Sequence, residues 1–192
     1  MRDRFLDSGA IFAGWVGLGM ALVLAICFEL IIPVQTVVFL LAPLMGMLIG
    51  AYANIRAERW RPRARVLANA AYAGIVTGIG ISVLYVLIRL VFLYGDSGSL
   101  PDGTSLICPT GPACTYVRYV DAGQADELAQ LGITDGRSLE AAAWRELATT
   151  GAGLIVLTAV GGVVGGVARS LSAPKARETP LLARDQAAKG AG

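Results

Sequence analysis

Two opposite charges lie inside otherwise apolar stretches of this chain, and they are the first candidates for chemistry. Glu29 lies four residues before Pro33, and Arg89 lies six residues before Gly95. A single charge at the centre of a bilayer raises the free energy by about 2.5–3.5 kcal/mol, which favours the pairing of opposite charges at one depth. We therefore predict an intramembrane ion pair between Glu29 and Arg89. The alternative is a proton or substrate site at Glu29, as in transporters built around a membrane carboxylate.

The second candidate is a pair of cysteines, Cys108 and Cys114, separated by Pro-Thr-Gly-Pro-Ala. Proline and glycine favour a tight reversal of the chain that brings the two Cα atoms together. On the outer side of a membrane, where conditions are oxidising, this spacing predicts a structural disulfide. A redox site would use a Cys-x-x-Cys pair, and a metal site would need a third ligand. Cys27, in the first apolar stretch, is predicted to be a small buried residue.

Other catalytic groups are scarce. The sequence contains no histidine, and both lysines, Lys175 and Lys189, belong to the C-terminal tail. The commonest general base and metal ligand is therefore missing, and so is a lysine that could be buried in a catalytic site. No phosphate-binding glycine loop and no nucleophile beside a base is found. We predict a protein that is not an enzyme, holds no cofactor or metal and binds no nucleic acid.

The elements that position these residues are apolar. Hydrophobic residues make up 55% of the 192 residues and are concentrated in four stretches, at 9–31, 34–53, 66–94 and 149–171. Each stretch is long enough to cross a bilayer, which takes about 20 helical residues, and none has the polar face of a soluble helix. A cleaved signal peptide, the alternative for the first stretch, would have a shorter apolar core. The predicted fold class is an all-α integral membrane protein with a four-transmembrane-helix bundle. Its first three helices lie within residues 1–94.

The loop at residues 54–65 sets the orientation. It contains five arginines: Arg56, Arg59, Arg61, Arg63 and Arg65. Short loops rich in arginine stay on the cytoplasmic side of a membrane. In the resulting layout the cytoplasmic parts hold twelve lysines and arginines, whereas residues 95–148 hold three. We predict that both termini are cytoplasmic, with a disordered tail at residues 172–192, and that residues 95–148 form a small extracytoplasmic cap.

Within this cap segment (residues 95–148) we expect a short strand at residues 116–120 and a short helix at 126–131. A further helix should begin with Ser138 as its N-cap and continue without a break into the fourth span. The segment carries eight acidic residues and three arginines. None of the acids lies in an active-site pattern, so we expect a solvated acidic surface.

Glycines four residues apart let membrane helices approach closely. This spacing occurs in three of the four stretches, at Gly46, Gly50, Gly74, Gly78, Gly161, Gly162, Gly165 and Gly166. The glycines are expected either to pack the helices of one chain together or to form a contact with another chain. The doubled motif in the fourth stretch is the best candidate for a contact between chains.

These observations predict a non-enzymatic subunit or accessory scaffold protein of a membrane complex. Its partners would be the lipid bilayer and a membrane protein, or a second copy of the chain, bound through the fourth helix. The alternative is a small transporter or channel protomer that uses Glu29 and Arg89. Abundant alanine, glycine and arginine, with only two lysines, are typical of a GC-rich bacterial genome and predict the plasma membrane.

Overall fold

The computed structural model describes residues 6–27, 35–55, 62–99 and 104–172. These ranges contain six helices and, apart from an isolated bridge between Ser99 and Ser105, no β-structure. The helices are α1 (Ser8–Ala25), α2 (Gln35–Ile55), α3 (Arg63–Gly95), α4 (Pro112–Asp121), α5 (Ala125–Gln130) and α6 (Gly136–Ser172).

Four of these helices, α1, α2, α3 and α6, are long and apolar enough to cross a membrane. One of them lies in each of the four apolar stretches of the sequence, so the prediction of four membrane-length helices is confirmed. Large hydrophobic side chains such as Trp15, Leu40 and Val91 are more than 60% exposed on their outer faces. The exposure of such large side chains suits helices that face lipid rather than water.

The four long helices form a bundle with α2 and α3 at its centre. Both α1 and α6 contact this central pair, whereas α1 and α6 do not contact each other in the described ranges. Helices α1 and α6 therefore lie on opposite sides of the α2–α3 pair. One buried cluster includes Leu24, Val38, Ile81, Tyr85 and Leu154, with members from all four helices.

Polar contacts bring three chain segments to one end of the bundle, called here the arginine end. The Asn69 side-chain amide donates to the Asp7 carboxylate at 2.7 Å and joins the start of α1 to α3. The Asn54 amide donates to the Val66 carbonyl at 3.2 Å, which joins the end of α2 to the start of α3. The cap segment lies at the opposite end. The N-terminal end of α1, the end of α2 and the start of α3 thus lie on the same side of the bundle.

The glycines of α2 meet the backbone of α6. A Cβ atom added to Gly46 would overlap the carbonyl of Thr158, and one added to Gly50 would overlap that of Gly162. Likewise, Gly161 of α6 faces the carbonyl of Pro43 in α2. Because residue numbers rise together along both helices at these contacts, α2 and α6 run parallel. Pro43 lies inside α2, where the helix continues on both sides of it.

On its other side, the glycine-rich part of α6 meets α3, which runs antiparallel to it. A Cβ atom added to Gly162 would lie 2.7 Å from the Ala70 carbonyl oxygen, and one added to Gly74 would lie 2.6 Å from that of Thr158. The remaining glycines of the motifs make similar contacts, Gly165 with Met47, Gly166 with Ala70 and Gly78 with Ile155 and Thr158. All four motif glycines of α6 therefore face helices of their own chain.

Helix α6 runs without a break from the cap segment into the apolar bundle, as predicted, but it begins earlier than expected. The prediction that Ser138 is the N-cap is wrong, because the cap is Asp135. The Asp135 carboxylate accepts from the Ser138 N–H at 2.7 Å, and the Ser138 hydroxyl accepts from the Asp135 N–H at 3.0 Å. This reciprocal pair is a capping box in which serine takes the place of the usual glutamate.

The predicted strand at residues 116–120 is also wrong, since these residues belong to α4. Gly111 adopts a φ of +108° and Pro112 occupies the first turn. Proline at this position has the backbone angle of a helix and lacks an N–H that would have no acceptor there, so it favours helix initiation. Packing against α6 then outweighs the strand preference of the aromatic and β-branched residues. The predicted short helix is confirmed as α5.

Candidate functional site

The candidate site is a cavity of about 710 Å³ at the cap end of the bundle. Its wall is formed by the last turns of α3, the loop that follows α3, one face of α4 and the part of α6 before the fourth span. Apolar residues such as Phe92, Leu139 and Leu147 form much of this wall. Four charged residues also line it: Arg89, Asp96, Arg118 and Glu146. An apolar cavity with a few charged groups is the usual form of a ligand site.

Asp96 anchors the polar part of the cavity. One of its carboxylate oxygens accepts from the Gly98 N–H at 3.0 Å and from the Arg118 guanidinium, and the other accepts from the Thr115 hydroxyl at 3.1 Å. Its main-chain carbonyl accepts from the Gly111 N–H at 2.8 Å. The loop after α3 and helix α4 are therefore connected through one residue.

These contacts change the acidity of Asp96. Burial, which leaves the side chain only 9% exposed, acts to raise its pKa. The hydrogen bonds from Gly98 and Thr115 and the charge of Arg118 act in the other direction, and the pKa is lowered overall. The carboxylate is thus held in its charged form. For this acid the expectation of a solvated surface is wrong.

Arg118 comes from the face of α4 that also carries Thr115, one helical turn away. Besides Asp96, its guanidinium donates to the Ser99 carbonyl at 3.3 Å. Its Nε atom is buried and has no hydrogen-bond partner. A buried donor without an acceptor is unfavourable by about 1–3 kcal/mol, so the site lacks one acceptor.

Arg89 lies in the same wall, one turn after the buried Tyr85 in α3. Its guanidinium carbon is 5.4 Å from the centroid of the Tyr85 ring, a cation–π contact. Glu29, its predicted partner, lies outside the described residues, so the ion pair stays a prediction. Five arginines were predicted to set the topology. Arg63 and Arg65 lie at the start of α3, and Arg56, Arg59 and Arg61 lie outside the described residues.

A second polar chain connects α3 to α6 beside the cavity. The Tyr94 hydroxyl donates to the Glu140 carboxylate and accepts from the Trp144 indole N–H at 3.3 Å. Glu140 and Trp144 are four residues apart in α6 and therefore lie on one face of the helix. This chain fixes the last turn of α3 against the part of α6 that precedes the fourth span.

The sulfur atoms of Cys108 and Cys114 are at bonding distance, and their Cα atoms are 5.0 Å apart. The predicted pairing is confirmed at the level of this distance. Gly98, with a φ of +79°, lies against the bridge, and an added Cβ atom would come within 2.9 Å of the Cys108 sulfur. Glycine is therefore needed at this position both for its backbone angle and for its lack of a side chain. Cys27 is a free thiol and is half-buried rather than buried.

The cluster of Asp96, Thr115 and Arg118 was not predicted from the sequence. The sequence Asp96-Ser97-Gly98 directly after a helix could have indicated a turn at this point. In this common type of turn the aspartate side chain accepts a hydrogen bond from the N–H two residues later. The spacing of three residues between Thr115 and Arg118 was a weaker indication, since it places both on one face of a helix. Within the described ranges, no group of three or more acidic or cysteine side chains is placed to hold a metal ion.

Comparison of the chain with protein-family models, with curated proteins and with solved structures finds no match.

Proposed function

We propose that the chain is a non-enzymatic subunit or scaffold protein of a complex in a bacterial plasma membrane. The observation that carries this proposal is the difference between the two faces of α6. Its glycine face is closed against α2 and α3, and the opposite face presents a row of valines, Val156, Val160, Val164 and Val167. Valine has few rotamers in a helix, so little side-chain entropy is lost when such a surface packs against another helix.

This proposal differs in one respect from the expectation from sequence. The doubled glycine motif of α6 is occupied within the chain, so the surface offered to a partner is the valine row. The transporter alternative depends on Glu29 together with Arg89. The position of Arg89 in the cavity wall favours that alternative, while the closed backbone contacts among α2, α3 and α6 favour a rigid scaffold.

A photo-crosslinking experiment tests the valine surface. With benzoylphenylalanine in place of Val160, which is 56% exposed, we expect one discrete protein adduct in intact cells. The matched control is Leu40 on α2, which is 66% exposed and lies on another face of the bundle. An adduct of twice the chain mass would identify a second copy, and another single mass would identify a different subunit. The absence of a protein adduct at Val160, or equal adducts at both positions, would contradict the proposal.

We further propose that the arginine end is cytoplasmic and the cap segment extracytoplasmic, because of the excess of lysine and arginine at the arginine end. A membrane-impermeant thiol reagent should label Gln124→Cys in intact cells of a Cys27→Ser background. It should not label Ala57→Cys or Ala188→Cys until the cells are opened. Labelling of Ala57→Cys from outside would reverse the orientation.

A further inference from the structure

We infer that the cavity at the cap end binds the phosphate headgroup of a membrane lipid. The inference rests on the insertion of the four long helices in a bilayer, as proposed above. It goes beyond a scaffold role because it assigns a ligand and the residues that hold it.

The wall holds two arginines and two acids, so its hydrogen-bond donors rather than its net charge favour an anion. Asp96 already accepts three hydrogen bonds through its side chain, and Glu146 is exposed to solvent. The guanidinium groups of Arg89 and Arg118 both line the wall. The buried Nε of Arg118, which has no acceptor in the structure, supplies a donor that a phosphate oxygen would satisfy. Arginine binds phosphate in a planar, two-pronged geometry that lysine lacks.

The apolar part of the wall favours a lipid over a free anion. Val91 and Phe92 line the cavity and are also 69% and 59% exposed on the outer surface of α3. They connect the cavity to the apolar surface of the bundle, so an acyl chain can follow α3 while its headgroup reaches Arg118. A volume of about 710 Å³ accommodates a glycerophosphate group together with the first methylene groups of its chains.

The test measures the thermal unfolding midpoint of the full-length protein in a non-ionic detergent at increasing ligand concentration, which yields an apparent Kd. Three probes separate the contribution of the phosphate headgroup from that of the acyl chains. Dihexanoylphosphatidylglycerol has both headgroup and chains, glycerol 3-phosphate has the phosphate without chains, and dihexanoylglycerol has the chains without phosphate. We expect each of the two incomplete probes to bind about 10-fold more weakly or worse than the complete lipid.

Two variants locate the site. Arg118→Gln removes a cation, and Ala143→Phe fills the cavity while leaving every charge in place. Each should weaken binding of the complete lipid by about 10-fold or more, the equivalent of one charge-assisted contact. Arg145→Gln is the matched control, since it is an exposed arginine of the same segment outside the cavity wall, and its Kd should stay within about twofold.

Three results would overturn the inference. Unchanged affinity of Ala143→Phe would place the lipid elsewhere. An equal loss in Arg145→Gln would show a diffuse attraction to positive charge. Equal binding of glycerol 3-phosphate and the lipid would identify a site for a soluble phosphate compound. The thiol-labelling experiment is independent of these measurements, so a wrong membrane topology and a wrong ligand can be told apart.

Discussion

Replacement of Gly162 by leucine is expected to prevent assembly of the bundle. Gly162 lies where α2, α3 and α6 meet, and even a methyl group there would come within 2.7 Å of the Ala70 carbonyl oxygen and 3.1 Å of the Gly74 Cα atom. These neighbours are backbone atoms and cannot change rotamer. Overpacking against movable side chains destabilises by about 1–3 kcal/mol, so a leucine against two backbones should exceed that range. Thermal unfolding and the fraction of monodisperse protein in detergent measure the effect.

The control for this prediction is Gly19→Leu in α1. A Cβ atom added to Gly19 meets nothing within 4 Å, and the residue is exposed on the outer face of the helix. Both substitutions make the same chemical change and improve helix propensity by a similar amount. Gly19→Leu should therefore unfold at or above the wild-type temperature. Equal destabilisation by the two changes would show that the close contacts of α6 do not hold the bundle together.

Replacement of Asp96 by asparagine should have the second largest effect, a loss of about 2–3 kcal/mol at neutral pH. Asparagine keeps the shape of the side chain but loses the negative charge that accepts from Arg118, Thr115 and Gly98. Arg118 is then left half-buried beside a neutral amide. Chemical unfolding of the detergent-solubilised protein, monitored by tryptophan fluorescence, measures the loss.

The pH dependence gives a sharper test of Asp96. Its pKa is lowered in the folded protein, so between the folded and unfolded values the unfolded chain binds more protons. The contribution of Asp96 to stability is therefore complete above its unfolded pKa of about 3.9 and is lost as the pH falls through the lower folded value. The wild type should lose stability on acidification below about pH 5, and Asp96→Asn should lose less.

Asp121→Asn serves as the control, because Asp121 is an exposed acid at the end of α4. It should follow the wild-type pH profile, since an exposed carboxylate contributes little to folding. Asp135 has a lowered pKa for a different reason, the hydrogen bonds from Ser138, and it contributes to the acid dependence in the same direction. Identical profiles for Asp96→Asn and the wild type would exclude Asp96 as the anchor of the cap segment.

The parts of the fold that follow from composition were predictable, and the parts that depend on tertiary contacts were not. Four runs of about 20 apolar residues specify membrane-length helices, because lipid leaves backbone groups no other hydrogen-bond partners. The strand predicted at residues 116–120 failed since five alternating residues fit either structure, and Gly111 and Pro112 favoured a helix. Ser138 was the predicted cap, but α6 begins at Gly136 and Asp135 takes that place.

The residues of the candidate site were hard to predict for the same reason, because they depend on tertiary contacts. Asp96 lies 19 residues from Thr115 and 22 from Arg118, and no local pattern joins residues that far apart. The glycine motifs indicated close helix contacts, but the partner of each glycine depends on the order of the helices in the bundle. That order places the motif of α6 inside the chain and leaves the valines outside. The disulfide was easier to predict because its two cysteines are close in sequence.

The uninterrupted course of α6 makes it a lever. At about 1.5 Å per residue, its 37 residues extend over about 55 Å, more than the 40–45 Å thickness of a bilayer with its headgroups. Glu140 and Trp144 hold one arm to the end of α3, the backbone contacts around Gly162 form the pivot, and Arg169 lies on the other arm. Because no loop separates the arms, a tilt imposed on the cap segment cannot be absorbed locally. In the membrane orientation proposed above, we expect such a tilt to displace the Arg169 end in the opposite direction.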